Sequence, residues 1–168
     1  HNGSRGLGDV YKRQCQYSAV DGSAQDWHLM HLGQLATSGA GLVIIEAAGV
    51  EPAGRITPAC LGLYSDENEE ALARVLHFCA EHGVAAMGIQ LAHAGRKAST
   101  HRPWEGRDPL SPGEGAWTTF SSSAEPHDEG WHRPEALDEA GMARVKQAFV
   151  ASAERARRLD LCLLYTSP

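Results

Sequence analysis

A continuous apolar run, Leu42-Val43-Ile44-Ile45, constrains the fold of this chain more than any other feature. The run is rich in β-branched residues and does not alternate with polar ones. A strand with one face in water alternates between apolar and polar residues, whereas a strand of a parallel sheet is covered on both faces and is apolar throughout. The run therefore predicts a buried strand of a parallel sheet.

Helix-like segments alternate with this run and with further extended segments, a pattern typical of βαβ units. The predicted strands lie near Gln14–Tyr17, Leu42–Ala47 and Ala85–Leu91, and the predicted helices over Asp26–Ser38, Ser65–Gly83 and Asp138–Leu159. Residues 92–137 form a predicted loop rich in Gly, Pro and Ser. A loop of this length in a compact α/β domain usually indicates an active-site excursion or an error in element assignment.

Three parallel strands by themselves leave both edges of a sheet unpaired, so we expect the chain to be the opening part of a larger fold. A closed (β/α)8 barrel needs roughly 250 residues. We predict an α/β fold that forms the N-terminal part of a TIM barrel, with about three of its eight βα units. Residues 1–14 and 161–168 resemble translated sequencing adapters, so we expect non-native tails around residues 15–160.

Composition excludes several classes of partner. Asp and Glu outnumber Lys and Arg by 21 to 15, and no long basic block occurs, so we expect no nucleic-acid partner. The most apolar stretch, residues 41–50, is about half the ~18 residues that a membrane span needs. We therefore expect a cytoplasmic protein without a membrane partner. The four cysteines form no C-x-x-C pair, which predicts free thiols and no zinc site.

The end of the third predicted strand carries polar residues that could bind a ligand. Active sites of βα barrels lie at the carboxyl ends of the strands. Gln90 could donate to and accept from a planar heterocycle, and Arg96 and Lys97 could hold anionic groups. In the alternative, Gln90 bonds loop backbone, His93 packs in a loop and both cations face solvent. The pattern alone leaves both interpretations open.

Two other groups of residues could carry chemistry. Cys15 and Tyr17 alternate along an extended segment, so a thiol and a phenol would share one face. His28 and His31 share a helix face and, with His93, could hold a metal ion in a barrel hydrolase. A buried structural cysteine and a polar helix face are the simpler interpretations of the two groups.

Several blocks of the sequence together resemble a known family. These blocks are Cys15-Gln16-Tyr17-Ser18, Asp26-Trp27-His28-Leu29-Met30-His31, Gly41-Leu42-Val43-Ile44-Ile45-Glu46-Ala47, Gly54-Arg55-Ile56, Gly62-Leu63-Tyr64-Ser65-Asp66-Glu67 and Gly88-Ile89-Gln90-Leu91-Ala92-His93-Ala94-Gly95-Arg96-Lys97. They resemble the old yellow enzyme family of FMN-dependent NAD(P)H oxidoreductases, within it the subclass of bacterial xenobiotic reductases and thermophilic-type ene-reductases. The last block is the most specific.

The resemblance implies roles for individual residues. Cys15 matches the cysteine beside the flavin that tunes its redox behaviour, and Tyr17 matches a tyrosine of the substrate pocket. Ala47 matches a backbone contact to the flavin ring, and Gln90 matches the amide that binds its polar edge. Lys97 falls where a lysine approaches the active site. A donor at Gln90 would stabilise negative charge on the reduced cofactor.

The resemblance also implies an activity. NADH or NADPH reduces the bound FMN, and the enzyme then reduces the C=C bond of an α,β-unsaturated carbonyl compound. The complete protein is expected to be a homo-oligomer. In the family, a histidine pair, a proton-donating tyrosine and the phosphate-binding residues follow the fourth strand, so we expect the 168-residue chain alone to be inactive. Residues 11–14 also depart from the family's Ser-Pro-Met-type segment.

Three alternatives stay open. A TIM-barrel flavoprotein related to dienoyl-CoA reductases would share the barrel, but such proteins add an iron–sulfur domain with clustered cysteines. A metal-dependent barrel hydrolase would use His28, His31 and His93. A binding fragment without enzymatic activity would fold by itself as a monomer.

Overall fold

The computed structural model describes residues 10–11 and 14–166, with side chains over residues 14–162. Its elements follow the chain as β1 (Val10–Tyr11), α1 (Asp26–Thr37), β2 (Leu42–Gly49), α2 (Asp66–His82), β3 (Ala86–Ala92), β4 (Phe120–Ser121), β5 (Glu135–Ala136), α3 (Glu139–Arg158) and β6 (Leu163–Thr166). One parallel sheet has the order β1-β2-β3-β6, and β4 and β5 pair separately. No helix in this part of the chain is long and apolar enough to cross a membrane.

The core lies between the sheet and the helices. Val43 and Ile45 of β2 and Ile89 and Leu91 of β3 are at most 1% exposed and belong to one apolar cluster. Helix residues complete that cluster, among them Leu32, Ala36, Leu72, Val75, Cys79 and Ala156. Because alternate strand residues point to opposite faces, the residues between these positions face away from the helices.

A β-bulge at Glu46 changes this alternation. Ile45 pairs with Ile89, but the next pair in register is Ala47 with Gln90, which leaves Glu46 without a partner on β3. An extra residue of this kind shifts the alternation by one position and redirects a side chain. Glu46 is therefore buried on the helix side, and Ala47 lies with Gln90 on the opposite face.

The predictions for β2, β3 and the three helices are confirmed within a few residues at each end. The prediction of a strand at Gln14–Tyr17 is wrong, because residues 14–19 have no regular secondary structure. The backbone of Tyr17 has φ 50°, in the left-handed region, which ends an extended conformation. In addition, the Gln16 N–H donates to the Glu46 carboxylate and not to a neighbouring strand.

The sheet has four strands where the sequence predicted three. The additional strand, β6, pairs in parallel with β3, and the first strand is β1. Both strands fall within the segments expected to be non-native tails. The foreign origin of those segments stays a prediction, but their backbone continues the parallel order of the sheet.

The long loop between β3 and α3 is fixed to the strand ends by side chains. Arg96 donates to Ser121 at 3.1 Å and to Ser123 at 3.0 Å. The Trp117 indole N–H donates to the Ala53 carbonyl at 3.2 Å. The Arg96 bonds hold the loop to the turn directly after β3, and the Trp117 bond connects it to the segment after β2.

Candidate functional site

Cys15, Ala47 and Gln90 converge at the carboxyl ends of neighbouring strands. Ala47 and Gln90 are register partners of β2 and β3. The Ala47 backbone N–H faces the Cys15 thiol. The structure therefore brings together three of the residues that the sequence analysis selected.

The Cys15 thiol lies in a buried environment beside a negative charge. Burial and, after it, the charge of Glu46 and the neighbouring Cys60 raise the pKa of this thiol to about 12. A thiol with so high a pKa is neutral at physiological pH. Cys15 can thus act as a weak hydrogen-bond donor and not as a thiolate nucleophile. All four cysteines of the chain are free, as predicted.

Tyr17 and Trp104 form an aromatic wall next to Cys15. Their rings meet edge to face, with centroids 5.7 Å apart. Burial raises the pKa of the Tyr17 hydroxyl to about 12, so the phenol is also neutral at physiological pH. An open cavity of about 520 Å³ borders Cys15, Trp104 and Trp27. The cavity size is in the range of small-molecule sites.

The residues after Gln90 do not share one role. Gln90 itself is half-buried on the sheet face opposite the helices. Arg96 is half-buried and binds Ser121 and Ser123 of the loop, so it does not face solvent as the alternative expected. Lys97 is exposed on the 3₁₀ turn Gly95–Lys97, and its role in the site stays a prediction.

His93 belongs to a loop cluster. Its Nε2 lies 2.9 Å from Oε1 of Glu51, and its Nδ1 accepts the Gly95 N–H at 3.1 Å. Arg144 of α3 approaches the same carboxylate at 3.3 Å and lies over the Phe120 ring at 4.3 Å. This cluster joins the loops after β2 and β3 to α3, so His93 follows the packing interpretation.

The N-terminal cap of α1 sets the orientation of His28. The cap residue is Gln25, whose backbone N–H donates to Nδ1 of His28 at 3.0 Å. His28 is therefore turned inward to Glu46, and its Nε2 lies 3.7 Å from the carboxylate Oε1. Sequence reasoning missed Glu46 as a site residue, although a charged residue directly after a continuous apolar run is itself a signal.

Two of the three histidines that the hydrolase alternative requires contact different glutamates. His28 faces Glu46 under α1, and His93 binds Glu51 in the loop cluster. Within the part of the chain that the structure describes, no group of three or more His, Cys, Asp or Glu side chains is arranged to hold a metal ion. His28, His31 and His93 therefore do not form a metal site in the described residues.

Comparison with known proteins identifies the family and agrees with the fold. Residues 10–161 match the NADH:flavin oxidoreductase / NADH oxidase family. The chain is 42% identical to an NADH:flavin oxidoreductase of Gibberella zeae over 148 residues, which cover 86% of this chain and 36% of that protein. It is 36% identical to an NADPH dehydrogenase of Geobacillus thermodenitrificans over 151 residues, which cover 89% of this chain and 40% of that protein.

A solved structure of morphinone reductase resembles the fold with a TM-score of 0.76 at 19% identity, covering 94% of this chain and 42% of that one. A second structure, of morphinone reductase in complex with tetrahydroNAD, gives a TM-score of 0.73 at 21% identity, covering 94% of this chain and 44% of that one. These likenesses support the fold. The chain spans about two fifths of the length of the curated relatives quoted above.

The parallel sheet and its likeness to morphinone reductase identify the chain as part of a TIM barrel. The chain belongs to the NADH:flavin oxidoreductase / NADH oxidase family, the FMN-dependent family of the old yellow enzyme. FMN and NAD(P)H are the cofactors of this family, as the sequence resemblance predicted.

Proposed function

We propose that the complete protein, meaning this chain together with the remaining barrel units of its relatives, is an FMN-dependent NAD(P)H oxidoreductase that reduces the C=C bond of α,β-unsaturated carbonyl compounds. One observation carries the proposal. Cys15, Ala47 and Gln90 meet at the ends of adjacent strands, where barrel enzymes bind their ligands.

The donor set at this position suits a flavin ring. Gln90 offers an amide donor and acceptor on the face opposite the helices, and Ala47 offers backbone groups beside it. The neutral Cys15 thiol adds a soft, weakly polar contact. When bound, FMN supplies the hydride transfer between NAD(P)H and the substrate. The chain's own residues bind and orient the ring and place a donor where negative charge develops.

The substrate side of the proposal rests on the aromatic wall. Trp104 borders the cavity next to Cys15, and Tyr17 packs edge to face on the Trp104 ring. A flat conjugated compound fits against aromatic faces. The Tyr17 hydroxyl keeps its proton at physiological pH, so it can donate to a carbonyl oxygen. The resemblance alone assigns Lys97 to the substrate side of the active site.

Substitution of Gln90 tests the function. In the complete protein, Gln90→Ala should lower the FMN content and slow anaerobic FMN reduction by NAD(P)H, with an upper limit of ~10²–10³-fold where loss of an oxyanion-hole donor is the guide. Flavin absorbance and stopped-flow spectroscopy measure the two effects. Gln34→Ala, which removes an exposed amide on α1, is the matched control. Equal FMN content and equal reduction rates for Gln90→Ala and wild type would contradict the assignment.

We also expect the 168-residue chain alone to bind FMN weakly and to leave alkenes unreduced. The sheet ends at β1 and β6, and each of these strands has one side without a partner in the described sheet. A yellow, monomeric 168-residue chain with a cooperative thermal transition would contradict this expectation. The complete protein is further expected to be a homo-oligomer, which size-exclusion chromatography tests, and its composition favours a cytoplasmic location.

A further inference from the structure

Glu46 lies at the bulge of β2, between the candidate flavin site and α1. Its carboxylate Oε2 accepts the backbone N–H of Gln16, the residue directly after Cys15. Oε1 faces Nε2 of His28, and the side chains of His28 and Glu46 are only 2% and 4% exposed. A buried carboxylate is costly unless hydrogen bonds or charges compensate it, so this position calls for a specific explanation.

The hydrogen bonding of His28 fixes which nitrogen carries the proton. Nδ1 accepts the Gln25 N–H, so in the neutral ring the proton is on Nε2, which faces Glu46. The 3.7 Å between Nε2 and Oε1 is too long for a hydrogen bond. Both atoms are buried without a partner. The donor and the acceptor therefore face each other across a gap.

A small cavity lies at this gap. Its volume is about 10 Å³, and its lining includes His28, Glu46, Gln16 and His31. About this volume is enough to hold one water molecule, provided that polar groups are present to bind it. A water in the cavity could accept from Nε2 of His28 and donate to Oε1 of Glu46, which would satisfy both buried atoms.

We infer that Glu46 is a positioning residue for Cys15: its carboxylate, bridged to His28 by one buried water molecule, holds the Cys15–Gln16 backbone against the bulge of β2. The inference rests on the proposed function only in taking Cys15 as the residue beside FMN. The bond between Gln16 and Glu46 joins positions 30 residues apart. It is therefore a tertiary contact that fixes a segment without secondary structure of its own.

The same carboxylate acts on the chemistry of Cys15. The charged and titratable groups that raise the pKa of the Cys15 thiol are Glu46 and Cys60. A negative charge next to a thiol disfavours the thiolate. Glu46 thus holds the segment in place and helps to keep the thiol protonated. A neutral residue that only held the segment in place would not affect the protonation of the Cys15 thiol.

The chain offers a matched pair of variants. Glu46→Gln removes the charge but keeps an oxygen that can accept the Gln16 N–H. Glu51→Gln makes the same change in the loop cluster around His93, and Glu51 is not among the groups that act on Cys15. Both variants are made in the complete FMN-loaded protein, whose flavin content and NAD(P)H oxidation are measured first. If the wild-type protein binds no flavin and does not oxidise NAD(P)H, the proposed function is wrong, but the labelling test can still be carried out.

The labelling test measures the reaction of Cys15 with iodoacetamide as a function of pH. Trypsin cuts after Arg13 and Arg55, so Cys15 is the only cysteine in the peptide of residues 14–55 and mass spectrometry reports it separately. In Glu46→Gln, labelling at pH 8.5 should be about tenfold faster than in wild type, equivalent to one pKa unit. In Glu51→Gln the rate should equal that of wild type. An unchanged rate in a folded Glu46→Gln protein overturns the inference.

A crystal structure of the wild-type complete protein at high resolution decides the case if Glu46→Gln does not fold. The inference expects electron density for one water between Nε2 of His28 and Oε1 of Glu46, and the Gln16 N–H on the carboxylate. A direct imidazole–carboxylate contact without water, or a Gln16 N–H bonded elsewhere, overturns it.

Discussion

His28 with Glu46 and His93 with Glu51 are two histidine–glutamate pairs with the same local design. In each, Nδ1 accepts a backbone N–H from a residue two or three positions away, and Nε2 is turned to a glutamate. In each, the glutamate belongs to β2 or to the loop after it. The two pairs differ in how completely the contact is made.

The His93–Glu51 contact is closed at 2.9 Å, its side chains are 9% and 14% exposed, and Arg144 adds a positive charge. The His28–Glu46 atoms are 3.7 Å apart and more deeply buried, and neither has a partner. In the His93–Glu51 pair the facing polar atoms bind each other, and the pair joins two loops. In the His28–Glu46 pair the facing atoms have no hydrogen-bond partner, and such unsatisfied buried groups call for an explanation, which a functional position provides.

Substitution of each histidine should give the largest difference in stability between the two pairs. His28→Leu places an apolar side chain against the buried Glu46 carboxylate, so we expect a loss of about 3–5 kcal/mol of unfolding free energy. His93→Leu leaves Glu51 with Arg144 near the surface, so we expect a loss of about 1 kcal/mol. Urea unfolding of the two complete variants measures the difference. Equal losses of unfolding free energy would contradict the proposed difference between the two pairs.

The elements that contain these pairs were predictable, but the pairs were not. The strand from Leu42 is a continuous apolar run, and the helices have regular apolar periodicity, so local pattern was enough for them. The pairs depend on contacts between distant positions: His93 and Glu51 are 42 residues apart, and Gln16 and Glu46 are 30 apart. Periodicity within one segment cannot report such contacts.

The first strand shows the same limit. Cys15 was predicted to lie in the strand of the first βα unit. Its segment is instead held by Glu46 and ends in the left-handed Tyr17. The convergence of Cys15, Ala47 and Gln90 was nevertheless predictable, because all three lie where parallel strands end at one edge. The bulge that puts Ala47 opposite Gln90 has no sequence signal of its own.

Reactivity of Cys15 in wild type gives the second prediction. Its pKa is raised from 9.0 to about 12, so at pH 8 iodoacetamide should label it about 1000-fold more slowly in the folded protein than in the urea-unfolded chain. The rate should rise about tenfold for each pH unit between 8 and 10 without a plateau. Comparable rates at pH 8 would mean that Glu46 and burial do not control this thiol.

The same pKa shift has a consequence for stability. Because the folded protein holds the Cys15 proton more tightly than the unfolded chain, the contribution to stability is complete below pH 9, the ordinary value, and is lost as the pH rises to about 12. Urea midpoints measured across this range should fall with pH. A Cys15→Ser protein should show a smaller fall, and an identical slope in both proteins would contradict the shift.

The smallest effect is expected at the loop cluster. Arg144→Ala removes a half-exposed charge from Glu51 and a cation from the Phe120 ring, and such contacts contribute less than about 1 kcal/mol. The loss should shrink further in 1 M NaCl, where charges at the surface are screened. A loss equal to that of His28→Leu would contradict the view that this cluster is a simple loop contact.

A crystal structure of the complete protein with bound FMN tests the central claim most directly. The account predicts that the ring lies against the strand ends with the Gln90 amide at its polar edge and the Cys15 thiol beside it, while Glu46 holds the Gln16 N–H behind them. A ring bound elsewhere in the barrel, or a Gln90 side chain turned into the helix layer, would contradict the account.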